Sequence, residues 1–271
     1  MDINELERIA QKIRGSVISM THRAKTPHLG SALSCVDILV AAYWSVLNID
    51  PKNPMDPDRD RFILSKGHAA PALYAALAHR GFCPMEALET FGKNGSFLGE
   101  HPSRNCLPGV EISTGSLGHG LPIACGMALA AKITKKKFRV LTVMSDGECN
   151  EGSVWEAALF APIHNLENNM VVIDFNKWQA TARSCATMAL EPLDEKWKSF
   201  GWSVYSVNGH SITELTQAMR NLPDGSGKPV AIIAHTVKGK GVSFMEDDNN
   251  WHYRVPKDEE VALARKELGL V

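Results

Sequence analysis

Two apolar runs in this sequence end on oxygen-bearing side chains, and the pair has the chemistry of a hard-cation site. The run from Val140 to Ser145 ends on Asp146-Gly147-Glu148, and the run from Val171 to Phe175 ends on Asn176. A carboxylate and a carboxamide suit Mg²⁺ or Ca²⁺, and Gly147 lets the backbone approach whatever lies beside the ion. An Asp-Gly pair at a strand end is, alone, an ordinary turn. The spacing adds weight: 28 residues separate Gly147 from Asn176, enough for one helix and one strand. Such a crossover returns the chain to the same sheet edge, where both ligands can meet one cation. The combination points to a metal-bridged diphosphate at the carboxyl edge of a parallel sheet.

His28, His68, His101 and His252 form a second signal, since all four fall in predicted loops rather than on apolar helical faces. Imidazole donates to phosphate and hydroxyl oxygens and moves protons near neutral pH. Lys238 and Lys240 would add positive charge beside a diphosphate; away from one they are simply solvated. Glu151 and Glu156 are five apart, share no helical face well, and read as acids favoured near a helix N-terminus. His22, His79, His164, His210 and His235 are assigned to structural roles.

The elements that must position these groups alternate. Apolar residues at three- and four-residue steps predict a helix over residues 3–24, and a second, more apolar one over 34–47 capped by Ser31 or Ser34. A proline- and aspartate-rich loop follows over 50–60, then a short strand at 62–64 and an alanine-rich helix over 69–79. Residues 91–120 are glycine-rich and irregular, as binding segments often are. Helices over 121–133, 153–166 and 211–221 and from about 257, with strands at 140–145, 171–175, 203–207 and 230–235, complete the reading; 177–191 is read as loop. This order predicts an α/β fold, a central mostly parallel sheet with helices on both faces, in one domain spanning 1–271. His68, Asp146, Asn176 and Lys238 then all follow strands on one edge.

Composition excludes several classes. With 29 basic and 30 acidic residues the net charge is −1, which gives no reason to expect nucleic acid or an anionic membrane as partner. The longest apolar run, Ile38 to Leu47, is far too short to cross a bilayer, and the charged first residues are unlike a secretory signal. Six cysteines are scattered with no CxxC pair, as expected of reduced thiols in the cytoplasm.

The ordered set of motifs resembles the N-terminal, diphosphate-binding part of transketolase, a thiamine diphosphate enzyme. The matching segments are Thr26-Pro27-His28-Leu29-Gly30-Ser31, Leu64-Ser65-Lys66-Gly67-His68-Ala69 and Gly99-Glu100-His101-Pro102. Further matches are Ser113 to Gly120, Asp146-Gly147 through Asn176, and Lys238 to Gly241 with Trp251-His252. The resemblance covers essentially the whole chain.

At matching positions it implies Asp146 and Asn176 as metal ligands (Mg²⁺, or Ca²⁺ or Mn²⁺), with the main-chain carbonyl of Trp178 as a third. It implies contacts to thiamine diphosphate from His68, Gly115, Ser116, Leu117, Gly147, Glu148, Lys238 and His252, besides Asp146 and Asn176. His28 and His101 would hold substrate hydroxyls and assist proton transfer; together with His68 and His252 they form the expected catalytic set. Glu151 and Glu156 would sit at a subunit contact that couples paired active sites. Ser145 stands where the family has glycine, tolerable at negative φ, and His119 stands where it has glutamine.

A full transketolase continues with a pyrimidine-binding domain and a C-terminal domain. The expectation is therefore the N-terminal subunit of a split transketolase, in an α₂β₂ assembly with a separate C-terminal chain. The pair would transfer a two-carbon ketol unit from a ketose or ketose phosphate to an aldose. Alternatives are the α subunit of a 2-oxoacid-decarboxylating enzyme, a natural-product carbon–carbon ligase, and a non-catalytic binding homologue.

Overall fold

β-branched and other apolar runs build the sheet. In the computed structural model, which describes residues 1–270, five strands form: β1 (Arg61–Leu64), β2 (Val140–Ser145), β3 (Asn169–Phe175), β4 (Ser203–Asn208) and β5 (Val230–His235). All pairings are parallel and the order is β1-β2-β3-β5-β4. Every residue of β2 and β3 is buried, so these two strands lack the polar alternation of a half-exposed strand.

Side chains alternate between two cores, one on each face. Leu141, Val143, Met170, Val172 and Ile232 pack toward α1 (Ile3–Ala24), α2 (Leu29–Ser34), α3 (Val36–Ala41) and α4 (Ala70–Arg80). Val140, Met144, Val171, Ile173 and Ile233 pack toward α5 (Gly120–Ile133) and α6 (Gly152–Ile163). The chain continues through α7 (Ser184–Thr187), α8 (Leu193–Ser199), α9 (Ile212–Arg220) and α10 (Asp258–Glu267). The expected parallel sheet covered on both faces is present; the expected domain end, Val271, lies outside the described residues.

Three local expectations fail. The single helix over 34–47 is α2, α3 and a π-helical turn at Ala42–Val46, with Cys35 breaking the ladder at φ −94°, ψ 5°. Residues 29–43 are all buried, so no polar stripe marks where the axis turns. Neither Ser31 nor Ser34 is an N-cap: both lie inside α2, and the Ser34 hydroxyl donates to Asp174 at 2.6 Å. α7 forms within the segment read as loop, and α8, whose Leu193 and Trp197 pack under the sheet, has no counterpart among the helices expected from the sequence.

Two buried polar systems cross the apolar layers. Arg14 of α1 holds Asp37 of α3 through two bonds of 3.0 and 2.6 Å, and His210 Nδ1 lies 2.7 Å from the same carboxylate. The second joins Lys66 to Asp174 beneath the sheet edge, with both side chains fully buried.

Candidate active site

The carboxyl edge of the sheet carries the predicted chemistry. In the register of β2 and β3, Ser145 lies opposite Asp174, which places the loop starting at Asp146 beside that carrying Asn176. Asp146 is fully buried. Its Oδ2 accepts from the Lys177 amide at 3.1 Å and the Ser184 hydroxyl at 2.7 Å, and its Oδ1 from the Gly147 amide at 3.0 Å. Burial pushes its carboxyl up to about 6, opposed by the Ser184 bond. A cation beside it would reverse that shift by favouring the charged form.

Lys177 adopts φ 67°, a conformation that costs a non-glycine residue free energy and tends to persist where surroundings enforce it. Here it turns the chain sharply after Asn176, whose Oδ1 accepts from the Trp178 amide at 3.0 Å. The backbone bonds around Trp178 run from Gln179 to Ala182 and from Ser184 to Lys177. Among the described residues none ends on the Trp178 carbonyl, which leaves that oxygen available as a ligand.

The four loop histidines converge. Ring centroids lie 5.3 Å apart for His28 and His68, 4.9 Å for His28 and His252, 6.0 Å for His68 and His252, and 6.3 Å for His28 and His101. They line one cleft of about 400 Å³ with Gly115, Leu117, Gly147, Asn176 and Trp178. His28 is held at φ 72° and its amide donates to the His252 carbonyl at 2.7 Å, fixing one loop against another. Burial lowers His28 to about 4, helped by His101 and Lys238, and lowers His252 to about 3, helped by Lys238. His68 is likewise pushed well below the ordinary histidine range, first by burial and then by Lys66. Three of the four imidazoles are therefore neutral at pH 7.

Glycine is required where two loops meet behind the cleft. A Cβ on Gly67 would lie 2.7 Å from the Gly115 amide nitrogen, and Gly115 itself has φ 146° with the His101 ring against it. A side chain at Gly67 would force the His68 turn away from the 113–120 segment, and one at Gly115 would press on the His101 ring.

The chain matches the family profile "Transketolase, thiamine diphosphate binding domain" over residues 6–271. The chain belongs to the transketolase family. It is 38% identical over 269 residues to an apulose-4-phosphate transketolase subunit of Phocaeicola vulgatus, covering 99% of this chain and 95% of that one. It is 40% identical over 242 residues to a 6-deoxy-6-sulfo-D-fructose transketolase subunit of Clostridium sp., covering 89% and 88%. A crystal structure of transketolase from Campylobacter jejuni superposes with a TM-score of 0.93 at 30% identity, over 99% of this chain but 43% of that one. This chain thus spans less than half of that transketolase.

The residues at this sheet edge fit a metal-bound diphosphate on observations of their own. Gln179 borders the cleft and its amide nitrogen is a buried donor without a partner, a donor that a phosphate oxygen would satisfy. Among the described residues no three His, Cys, Asp or Glu side chains form a metal cluster. One carboxylate, one carboxamide and one carbonyl would hold a hard cation and leave room for oxygens of a diphosphate.

Not every expected contact lines the cleft. Glu148 points inward, accepting from the Ser65 hydroxyl, the Gly118 amide at 3.0 Å and the Ser145 amide at 2.9 Å. It locks three loops together instead of facing a ligand, and burial raises its carboxyl. The Ser116 hydroxyl lies 3.4 Å from His119 Nδ1, on the surface. Lys238 lies behind His252 and reaches its Nδ1 at 3.0 Å, Asn249 Oδ1 at 2.6 Å and the Gln179 carbonyl at 3.4 Å. Glu151 borders the cleft, whereas Glu156 lies on the exposed side of α6. Ser145, in place of glycine, has φ −85°, so its side chain is accommodated. Sequence reasoning missed Ser184, Gln179, Asn150 and Tyr253, which carry no pattern that separates them from ordinary loop polar residues.

Proposed function

We propose that this chain is the diphosphate-binding half of a ketol-transferring enzyme, active with a separate C-terminal subunit in an α₂β₂ assembly. The observation that carries the reading is the convergence of four histidines on the Asp146–Asn176 edge. The separate partner is supported by relatives named as transketolase subunits, which this chain matches almost end to end. The five Leu, Ile and Phe side chains exposed on α5 and α6, Ile123, Ile133, Leu159, Phe160 and Ile163, supply an apolar face for that partner. We read residues 1–271 as one domain and place it in the cytoplasm, consistent with six free cysteines and with no helix among the described residues long and apolar enough to cross a membrane.

Asp146, Asn176 and the Trp178 carbonyl would hold Mg²⁺, with Gly147, Gln179, His68 and His252 toward the diphosphate and Gly115 and Leu117 toward the ring. Thiamine diphosphate, when bound, supplies the carbon nucleophile and electron sink for cleaving the bond next to a ketone. The protein supplies orientation and proton transfer. Because Lys238 donates to Nδ1 of His252, the ring carries its proton on Nε2 and offers it as a donor. His28 and, beside it, His101 border the cleft where hydroxyls of a ketose would lie; an imidazole held neutral, as in His28, can accept a hydroxyl proton and return it. Glu151, at the cleft rim, and Glu156 would lie at the subunit contact.

The deciding experiment co-purifies the tagged chain with its partner and assays two-carbon transfer from a ketose phosphate. Activity of the pair, with none from the chain alone, is the expected result. Ketol transfer by the isolated chain, or pyruvate decarboxylation by the pair, would replace this reading.

A further inference from the structure

Three separate segments bring His28, His68 and Asn176 to the cleft and a fourth brings Lys238 behind it, and all four are tied to one carboxylate that never reaches it. Asp174 is the sixth residue of β3, opposite Ser145 on β2 and Ala234 on β5, and is fully buried. Its Oδ2 accepts from the Ser34 hydroxyl at 2.6 Å and from the Lys66 ammonium; its Oδ1 accepts from the Thr236 hydroxyl. Lys66 also donates to the Ser31 carbonyl at 2.9 Å and contacts Ser34 Oγ at 3.4 Å. Lys66 is fully buried as well, Thr236 is 6% exposed, and neither borders the cleft.

The spacing gives this hub its meaning. Lys66 lies two residues before His68, Thr236 two before Lys238, and Asp174 two before Asn176; Ser31 lies three after His28. Each arm of the network therefore ends one short step from a group that faces the cleft or backs it.

We infer that Asp174 is a positioning residue that sets the His28, His68, Asn176 and Lys238 segments relative to one another, so that together they bind the metal–diphosphate. Folding does not explain it, because a buried ion pair is often no more stable than an apolar pair of similar volume. Apolar contact lacks direction, whereas hydrogen bonds constrain both distance and angle. A hub of charged and hydroxyl bonds fixes three other segments to one strand end in a way that packing alone does not. The inference rests on the thiamine diphosphate reading above.

The test compares wild type with the paired variant Lys66→Met/Asp174→Leu, each assembled with the partner subunit. Melting temperature of the apo complex is measured beside the Kd for thiamine diphosphate in saturating Mg²⁺. Outer-shell partners of a metal site typically change affinity by about 10–100-fold, and a loss of that size at unchanged melting temperature is expected. Affinity within twofold of wild type in a folded variant overturns the assignment.

If the pair fails to fold, Thr236→Val removes one arm at nearly constant volume. It weakens cofactor binding at least threefold, and Thr236→Ser, which restores the hydroxyl, recovers it. Equal affinity of the Val and Ser variants overturns the inference. Failure of the wild-type complex to bind thiamine diphosphate instead refutes the cofactor reading, a distinct outcome.

Discussion

Lys238 donates to Nδ1 of His252 across 3.0 Å, and this single contact assigns the tautomer of a histidine at the cleft. The lysine is fully buried and burial lowers it to about 8, so near pH 7 it is still mainly protonated and still a donor. Lys238→Met keeps the volume but frees the His252 ring to turn. Isothermal titration with thiamine diphosphate and Mg²⁺ is expected to show affinity about tenfold weaker. An unchanged Kd would mean that the ring is held by its other neighbours.

Asp146 predicts an unusual separation of stability from binding. Its carboxyl is buried and raised to about 6, so its ionised form is a burden on the apo-protein at pH 7 rather than a support. Asp146→Ala should leave the apo melting temperature close to wild type. It should also remove the rise in melting temperature that Mg²⁺ with thiamine diphosphate gives by mass action. A retained rise in differential scanning calorimetry would rule out Asp146 as a ligand.

The histidine cluster sets the acid limb of apo stability. His28 and His252 titrate at about 4 and about 3 in the folded chain, and His68 well below its ordinary value, against about 6.5 when unfolded. Between pH 6.5 and 4 the unfolded chain therefore binds more protons, and stability falls as pH falls. Asp37 and Asp174, held low overall against burial by Arg14 and Lys66, act in the same direction only at lower pH, where the unfolded carboxylates begin to protonate. Asp146 and Glu148, both raised by burial, act in the opposite one. The melting temperature at pH 5 is expected below that at pH 7, with a smaller difference in His252→Asn. A difference of the same size in the variant would show that the cluster is not its source.

Asp37, through Arg14 and His210, anchors the loop that carries Lys238. Arg14, held by Asp37, also donates to the Lys240 carbonyl at 2.9 Å, and His210 Nε2 accepts from the Val237 amide at 2.8 Å. Removing the carboxylate in Asp37→Ala strands a buried guanidinium and should cost about 3–5 kcal/mol, read from urea denaturation. Loss below about 1 kcal/mol would show that water enters and rehydrates Arg14.

Leu159 is 59% and Ile163 76% exposed on α6, close in sequence to Glu151 and Glu156. Leu159→Glu with Ile163→Glu should abolish co-purification with the C-terminal partner while leaving the melting temperature of the isolated chain unchanged. Retention of the complex would place the contact elsewhere.

Sequence alone determined the α/β alternation, because continuous apolar runs such as Val171 to Phe175 between helical segments admit few arrangements other than a covered parallel sheet. It also marked Asp146, Asn176 and the four loop histidines, whose residue types and ordered motifs are uncommon together. It did not show the break at Cys35, since a wholly buried helix has no polar face from which to read a bend. Nor did it reveal that Glu148 and Lys238 support the cleft from behind, or that Asp174 ties three distant segments to its own strand end. A charged residue in an apolar strand is visible in sequence, but its partners lie 140, 108 and 62 positions away. Only packing of the tertiary structure decides which distant hydroxyl and ammonium groups a buried carboxylate meets, because that meeting depends on the crossing of layers that no local pattern records.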